Sequence, residues 1–369
     1  MLGLIFSLDY EIYGTGQGDF SQLMLDPTSR LLNLFDQYGA KLTIMSDVAE
    51  IMALKRHDSF QSTLSQIEDQ LIQAIKRDHD VQLHIHPAWS NAYYDGNRWI
   101  LDFDEYGLAG LPYERIDLII RQGKEYLESL LQSVKSALPY RCTTFRAGNW
   151  LMQPSGNIVR ALENNGIVFD TSVYKWGRGD VGKYQLDYRV AHSNIFPWVV
   201  AAENINQQDD TRQGLMEIPI LTRKVFITSM LSWKRINLQL RLRRGNKNDS
   251  TGDDQELGGG KKAGSFHLMH AKKFDFCRLT FREMKSFLTY AEKSCQNTDA
   301  MVPIVAIGHS TEFYDSEDLE RFLAYVSQLG PGRVAWTTFN ELTINQTTRA
   351  LSQLEKSSFA KIVNQVQYD

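Results

Sequence analysis

The sequence predicts an α/β fold, a TIM-like (β/α)7–8 barrel, on three observations. Short apolar runs alternate with segments whose apolar residues recur near every 3.6 positions. Helix start and stop signals fall between the runs. About eight strands and about seven helices favour a closed or nearly closed barrel over an open sheet.

The expected strands are Leu2–Leu8, Lys41–Ser46, Val81–Ile85, Thr143–Arg146, Ile167–Phe169, Glu217–Leu221, Val302–Ile307 and Arg333–Trp336. Phe60, Leu64, Ile67, Leu71 and Ile75 form one helical face, and Ile116, Ile120, Leu127, Leu130 and Val134 another. Gly39 and Gly166 follow helical segments and suit left-handed C-caps. Thr280-Phe-Arg-Glu283 reads as a capping box, and Ser316, with Glu317 and Asp318 behind it, as a further cap.

Composition narrows the function classes. Of 369 residues, 43% are hydrophobic and 23% charged, as in a soluble globular protein. A net charge of -4 supplies no general attraction to nucleic acid or anionic membrane. Cys142, Cys277 and Cys295 share no CxxC spacing, which argues against a disulfide framework or thiolate zinc site. The segment before Asp9 has no basic residue and no room for a cleavable leader, and no stretch has the roughly 18 apolar residues of a transmembrane helix. A cytoplasmic protein is the expectation.

Residues 241–264 are polar and Gly-rich and read as a flexible surface insertion, and the basic run from Lys234 to Arg244 as a solvated face.

Five polar groups stand at strand ends. Asp9 and Glu11 are two apart, so a strand aims both carboxylates the same way, where they favour a cation between them or a raised pKa on one. His84 and His86 repeat that spacing, and imidazole suits Zn²⁺, Co²⁺, Ni²⁺ or Fe²⁺. Arg146 follows an apolar strand, and Gly148 permits a tight turn after it; its guanidinium would hold a nearby carboxylate in the charged form. Asp170 ends another strand, suited either to pairing with Arg146 or to a cap or turn. His309 follows an apolar strand and Gly308, a place for a general acid or for a neutral core histidine. His267 and His270 are expected to be structural or peripheral, and His57, His79 and His192 to lie on the surface.

These five pieces, in this order, resemble the motifs of the polysaccharide deacetylase (NodB-homology, carbohydrate esterase 4) family over about residues 1–345. The resemblance implies a distorted (β/α) barrel that removes acetyl groups from N-acetylated sugars with a divalent metal, zinc first. It assigns Glu11, His84 and His86 to the metal, Asp9 to the general base and His309 to the general acid. Arg146 and Asp170 would orient the base. Trp89, Trp150 and Asn149 would meet the carbohydrate substrate, with Trp99 and Trp176 also near the motifs. Arg333–Glu341 is similar to the family's closing strand and turn, and residues 346–369 are expected to pack as a C-terminal helix. Two features depart from the common pattern. The histidines stand two apart instead of four, and Tyr10 separates the acids, so Asp9 could be the ligand in place of Glu11. The expected substrate is a precursor of surface polysaccharide. The alternatives are another metal-dependent C–N hydrolase or a glycosidase on the same barrel, or an inactive carbohydrate-binding relative.

Overall fold

Strand β1 (Leu2–Tyr10) is buried along its whole length, as a parallel strand covered on both faces requires. The computed structural model describes residues 1–12, 14–181, 184–227, 234, 269–298 and 300–345. The expected insertion at 241–264, nearly all of the basic run, His267 and the C-terminal helix at 346–369 lie outside them.

The remaining strands, in chain order, are β2 (Leu42–Asp47), β3 (Asp80–Ile85), β4 (Tyr93–Tyr94), β5 (Trp99–Ile100), β6 (Thr144–Ala147), β7 (Phe169–Asp170), β8 (Arg178–Val181) and β9 (Tyr184–Asp187). They continue with β10 (Trp198–Ala201), β11 (Asn204–Gln208), β12 (Met216–Glu217), β13 (Thr222–Phe226), β14 (Met269–Lys273), β15 (Val302–His309) and β16 (Val334–Trp336). Helices α1 (Asp26–Gln37), α2 (Val48–Lys55), α3 (Gln61–Lys76), α4 (Tyr113–Leu131), α5 (Gly156–Asn164), α6 (Phe281–Cys295) and α7 (Glu317–Leu329) intervene.

A ten-stranded sheet runs β11-β10-β12-β7-β6-β3-β2-β1-β15, with β16 also on β1, and is parallel from β12 through β15. Just past β12, Ile220 bridges in parallel to Val305 of β15, and the Leu221 N–H donates to the Val305 carbonyl at 3.1 Å. The sheet therefore curls back on itself as a TIM-like α/β barrel. Ile5, Met45, Phe169, Ile218, Ile220, Val305, Ile307 and Phe339 form one buried cluster, and a larger one packs the helices against the sheet.

Six of the eight expected strands occur with ends shifted by at most two residues, whereas β7 and β12 overlap the expected Ile167–Phe169 and Glu217–Leu221 at one residue each. Gly39 and Gly166 adopt positive φ, 59° and 67°, after their helices. Thr280 and Glu283 close the reciprocal capping box on α6. At α7 the expectation needs correction. Ser316 makes no side-chain cap bond; Asp315 Oδ1 accepts from the Glu317 N–H instead, at 3.0 Å. The antiparallel pairs β10–β11 and β13–β14 were not foreseen; β11, β13 and β14 lack the apolar runs of barrel strands. No helix among the described residues is long and apolar enough to cross a membrane.

His79 also departs from expectation: it is buried, not on the surface. Its Nδ1 accepts from the Leu42 N–H at 3.1 Å, and its Nε2–H donates to Asp36 at 3.0 Å, tying α1 and β2 to the start of β3. Burial lowers its pKa to about 4, with Arg77 and Lys41 adding to the effect and Asp36 opposing it. A depressed folded-state pKa contributes stability above the unfolded value of about 6.5 that is lost as pH falls toward 4. Acidification from pH 7 to 4.5 is therefore expected to remove up to roughly 3 kcal/mol through this ring. Urea unfolding at the two pH values should show a smaller difference for His79→Gln than for the parent; equal differences would refute the assignment.

Candidate functional site

Parallel register assembles the site. Asp9 pairs with His309 on one side and Met45 on the other, Asp47 with His84, and His84 with Arg146. In-register partners share a face, so five strands present these side chains at the C-terminal mouth of the barrel.

Glu11, directly after β1, brings Oε2 to 3.2 Å from His84 Nε2 and 2.7 Å from His86 Nε2. One ligand atom from each lies within 4.8 Å of the others. The outer contacts fix how the rings present themselves. His84 Nδ1–H donates to the Arg146 carbonyl at 2.9 Å, which leaves Nε2 for a ligand. Asn149 Nδ2 lies 3.3 Å from His86 Nδ1; an amide turned to put its oxygen there would leave the His86 Nε2 free in the same way. Two imidazoles and a carboxylate, each with the correct atom turned inward, fit a divalent ion such as zinc.

Electrostatics agree. Burial opposes charge on His84, but the hydrogen bond to Glu11 and the charges of Asp9, Glu11 and Asp47 outweigh it and raise the ring to about 9. For Glu11, burial is likewise overcome, by His86 and His84, which hold its carboxyl well below the usual range. Ligation displaces a proton from this cluster, so affinity for a divalent ion rises with pH.

Asp9 is 2% exposed and faces two partners. Arg146 Nη1 lies 2.5 Å from Oδ1, and His309 Nε2 3.4 Å from Oδ2. Arg146 is fully buried; its Nη2 donates to Ser7 Oγ at 2.7 Å and its Nε to the Thr171 carbonyl at 3.1 Å. Asp9, Glu11 and His309 also bring one polar atom each within 4.8 Å of the others, so the two clusters share Glu11.

Asp170 makes no direct ion pair with Arg146, although the guanidinium charge still acts to lower its carboxyl pKa. It is in register with Phe145, one residue before Arg146, and so takes the opposite face of the sheet. Its carboxylate accepts from Ser172 Oγ at 2.7 Å and hydrogen-bonds Glu217, an acid not singled out from sequence. Burial raises both acids, and Asp170 raises Glu217 further, while the charge of Arg146 opposes the shift on each. What reaches Arg146 from this segment is the Thr171 carbonyl.

The tryptophans separate. Trp89 is 1% exposed and packs edge-on against Trp99 with centroids 5.5 Å apart, which leaves no open face for a sugar and corrects that expectation. Trp150 is half-buried at the centre of the site, 6.1 Å from the His309 ring and 5.5 Å from the Arg146 guanidinium. Asn149 and Trp150 both adopt left-handed backbone, φ 54° and 62°, which costs non-glycine residues of order 1–3 kcal/mol each. The preceding Gly148 is required by close approach: a Cβ there would lie 2.6 Å from the Ile85 carbonyl and 2.8 Å from the His86 ring.

Further residues completing the site carried no sequence signal. Asp47 Oδ1 accepts from the Ala49 N–H, capping α2, and from the His86 N–H, both at 3.2 Å. Burial raises it to about 6, with Glu11 adding and His86 and His84 opposing. Asp275 and Glu312 flank His309 within 4.8 Å, and Arg278 bridges them, 3.4 Å from Asp275 and 2.6 Å from Glu312. Lys273, ending β14, places its ammonium 4.1 Å from the Trp150 ring centroid and 4.7 Å from that of Tyr174.

No family model and no curated protein matches the chain. Among solved structures it is similar to a protein described as a polysaccharide deacetylase from Mycobacterium smegmatis, at 13% identity over 95% of this chain and 91% of that one, TM-score 0.48. It is also similar to an allantoinase, at 13% identity over 92% and 88%, TM-score 0.46. A GH57-type branching enzyme from Pyrococcus horikoshii shares 12% identity over 92% of this chain and 69% of that one, TM-score 0.47.

Proposed function

We propose that the chain is a metal-dependent hydrolase that removes the N-acetyl group of a sugar. The observation that carries this reading is the convergence of Glu11, His84 and His86 beside an Arg146-held Asp9 and a facing His309. A divalent ion, zinc by preference, held by those three residues supplies Lewis acidity for an amide carbonyl and lowers the pKa of water. Asp9 acts as general base and takes a proton from the attacking water through the oxygen turned from Arg146. Arg146, locked by Ser7 and Thr171, keeps that carboxylate in one orientation. His309 delivers a proton to the departing amine, with Asp275 and Glu312 bordering it. Trp150 lines the acceptor space.

Metal analysis of the purified protein, combined with acetate release from a panel of N-acetylated sugars, tests the proposal. A protein that binds no divalent ion and releases no acetate with added Zn²⁺, Co²⁺ or Ni²⁺ would overturn it. His84→Ala is expected to lose the ion. Disturbing an outer partner of a metal ligand costs about 10–100-fold in affinity, so deleting a ligand costs more. Unchanged metal content by mass spectrometry would remove His84 from the ligand set.

A further inference from the structure

The charged groups around the site make direct ion pairs, and Lys273 is the exception. Asp9 has Arg146, Glu11 has the two histidines, and Asp275 and Glu312 share Arg278. Lys273 stands among these acids, yet among the described residues no carboxylate lies within ion-pair distance of its ammonium. It rests instead on Trp150 and Tyr174, themselves in edge contact with centroids 6.0 Å apart. Cation–π contact of this kind holds an ammonium in place without a counter-ion, and leaves its N–H donors for other partners.

The approach is built into the backbone. Trp150 reaches Lys273 from a left-handed turn, which the Tyr188 hydroxyl braces by donating to the Trp150 carbonyl. Strain at such a position is kept where the surrounding structure enforces it. Lys273 comes from β14, whose antiparallel partner β13 starts directly after the Leu221 that closes the barrel. Both Lys273 and Trp150 are half-buried, so solvent reaches them. Burial and Arg278 lower the lysine to about 8, while Asp275, Asp9 and Glu312 act the other way, so the ammonium persists at pH 7.

We infer that Lys273, Trp150 and Tyr174 form a subsite for an oxyanion substituent of the substrate, a carboxylate or phosphate carried by the acetylated sugar. The substituent makes the direct ion-pair contact that no described carboxylate makes, and the aromatic pair presents the ammonium to it. The inference rests on the hydrolase reading for its substrate class, but not for its binding test.

Glucuronate and glucose, neither of which can lose an acetyl group, are titrated into the metal-loaded protein and followed by tryptophan fluorescence. Glucuronate is expected to bind more tightly than glucose, and Lys273→Met to weaken glucuronate by about tenfold or more, as for a charge-assisted hydrogen bond. Lys273→Arg should restore much of the difference. Glucuronate binding equal in the parent and Lys273→Met would overturn the subsite, whatever the hydrolytic activity. Where acetate release is found, N-acetylglucosamine, its uronic acid and its 1-phosphate are compared. The anionic pair should be preferred in kcat/KM, with the ratio collapsing in Lys273→Met chiefly through KM. Whichever anion loses more identifies the substituent, and an equal loss on all three substrates would overturn the inference. Absence of acetate release with glucuronate binding intact would reject the hydrolase reading alone.

Discussion

Asp9→Asn is expected to lower turnover by about a hundredfold to ten-thousandfold while the protein keeps its metal. The magnitude is that of a positioned general base. The amide is isosteric and can still accept from Arg146 Nη1, so the geometry at Oδ1 survives and only the proton acceptor is lost. Metal retention follows because the converging atoms belong to Glu11, His84 and His86. The decisive measurement is kcat beside metal content and melting temperature on one preparation. Full activity would exclude Asp9 as base. Activity lost together with the metal would instead place Asp9 among the ligands, the alternative that the spacing of the two acids leaves open.

Period-two spacing made the cluster of Glu11, His84 and His86 legible. Glu11 after Asp9, and His86 after His84, are read onto one face without knowledge of the neighbouring strands. The same rule leaves the partners of Asp170 open. Its face depends on register with β6, where it stands opposite Phe145 and bonds Ser172. Sequence alone does not supply register between strands separated by a helix. Lys273, Asp275 and Glu312 were invisible for a related reason. Each is a single charge in an ordinary setting, and only tertiary approach sets them beside His309 and Trp150. Trp89 and Trp150 each lie just beyond a strand-end motif, yet one is core and the other lines the site. His79 looked exposed because its neighbours Asp78 and Asp80 are polar, whereas Asp80 is buried and accepts from Gln82 and from the Asn340 N–H.

Arg146→Met is expected to have the largest effect on stability in the molecule. The guanidinium is fully buried and serves three acceptors on two segments, Asp9 and Ser7 of β1 and the Thr171 carbonyl. Removing one partner of a buried ion pair costs about 3–5 kcal/mol, because the other charge stays buried without compensation. Arg146→Lys should fall between parent and Met, since one ammonium on a flexible stem cannot reproduce the planar fork. Interpretation comes from the cycle with Asp9→Asn. If the cost of Arg146→Met is mainly an abandoned Asp9 charge, the double variant should be more stable than the two single losses predict, by about 0.5–3 kcal/mol. Additive losses in urea unfolding would mean that the guanidinium acts mainly through Ser7 and Thr171. Arg146 would then be a brace for the barrel mouth and not the partner that orients the base.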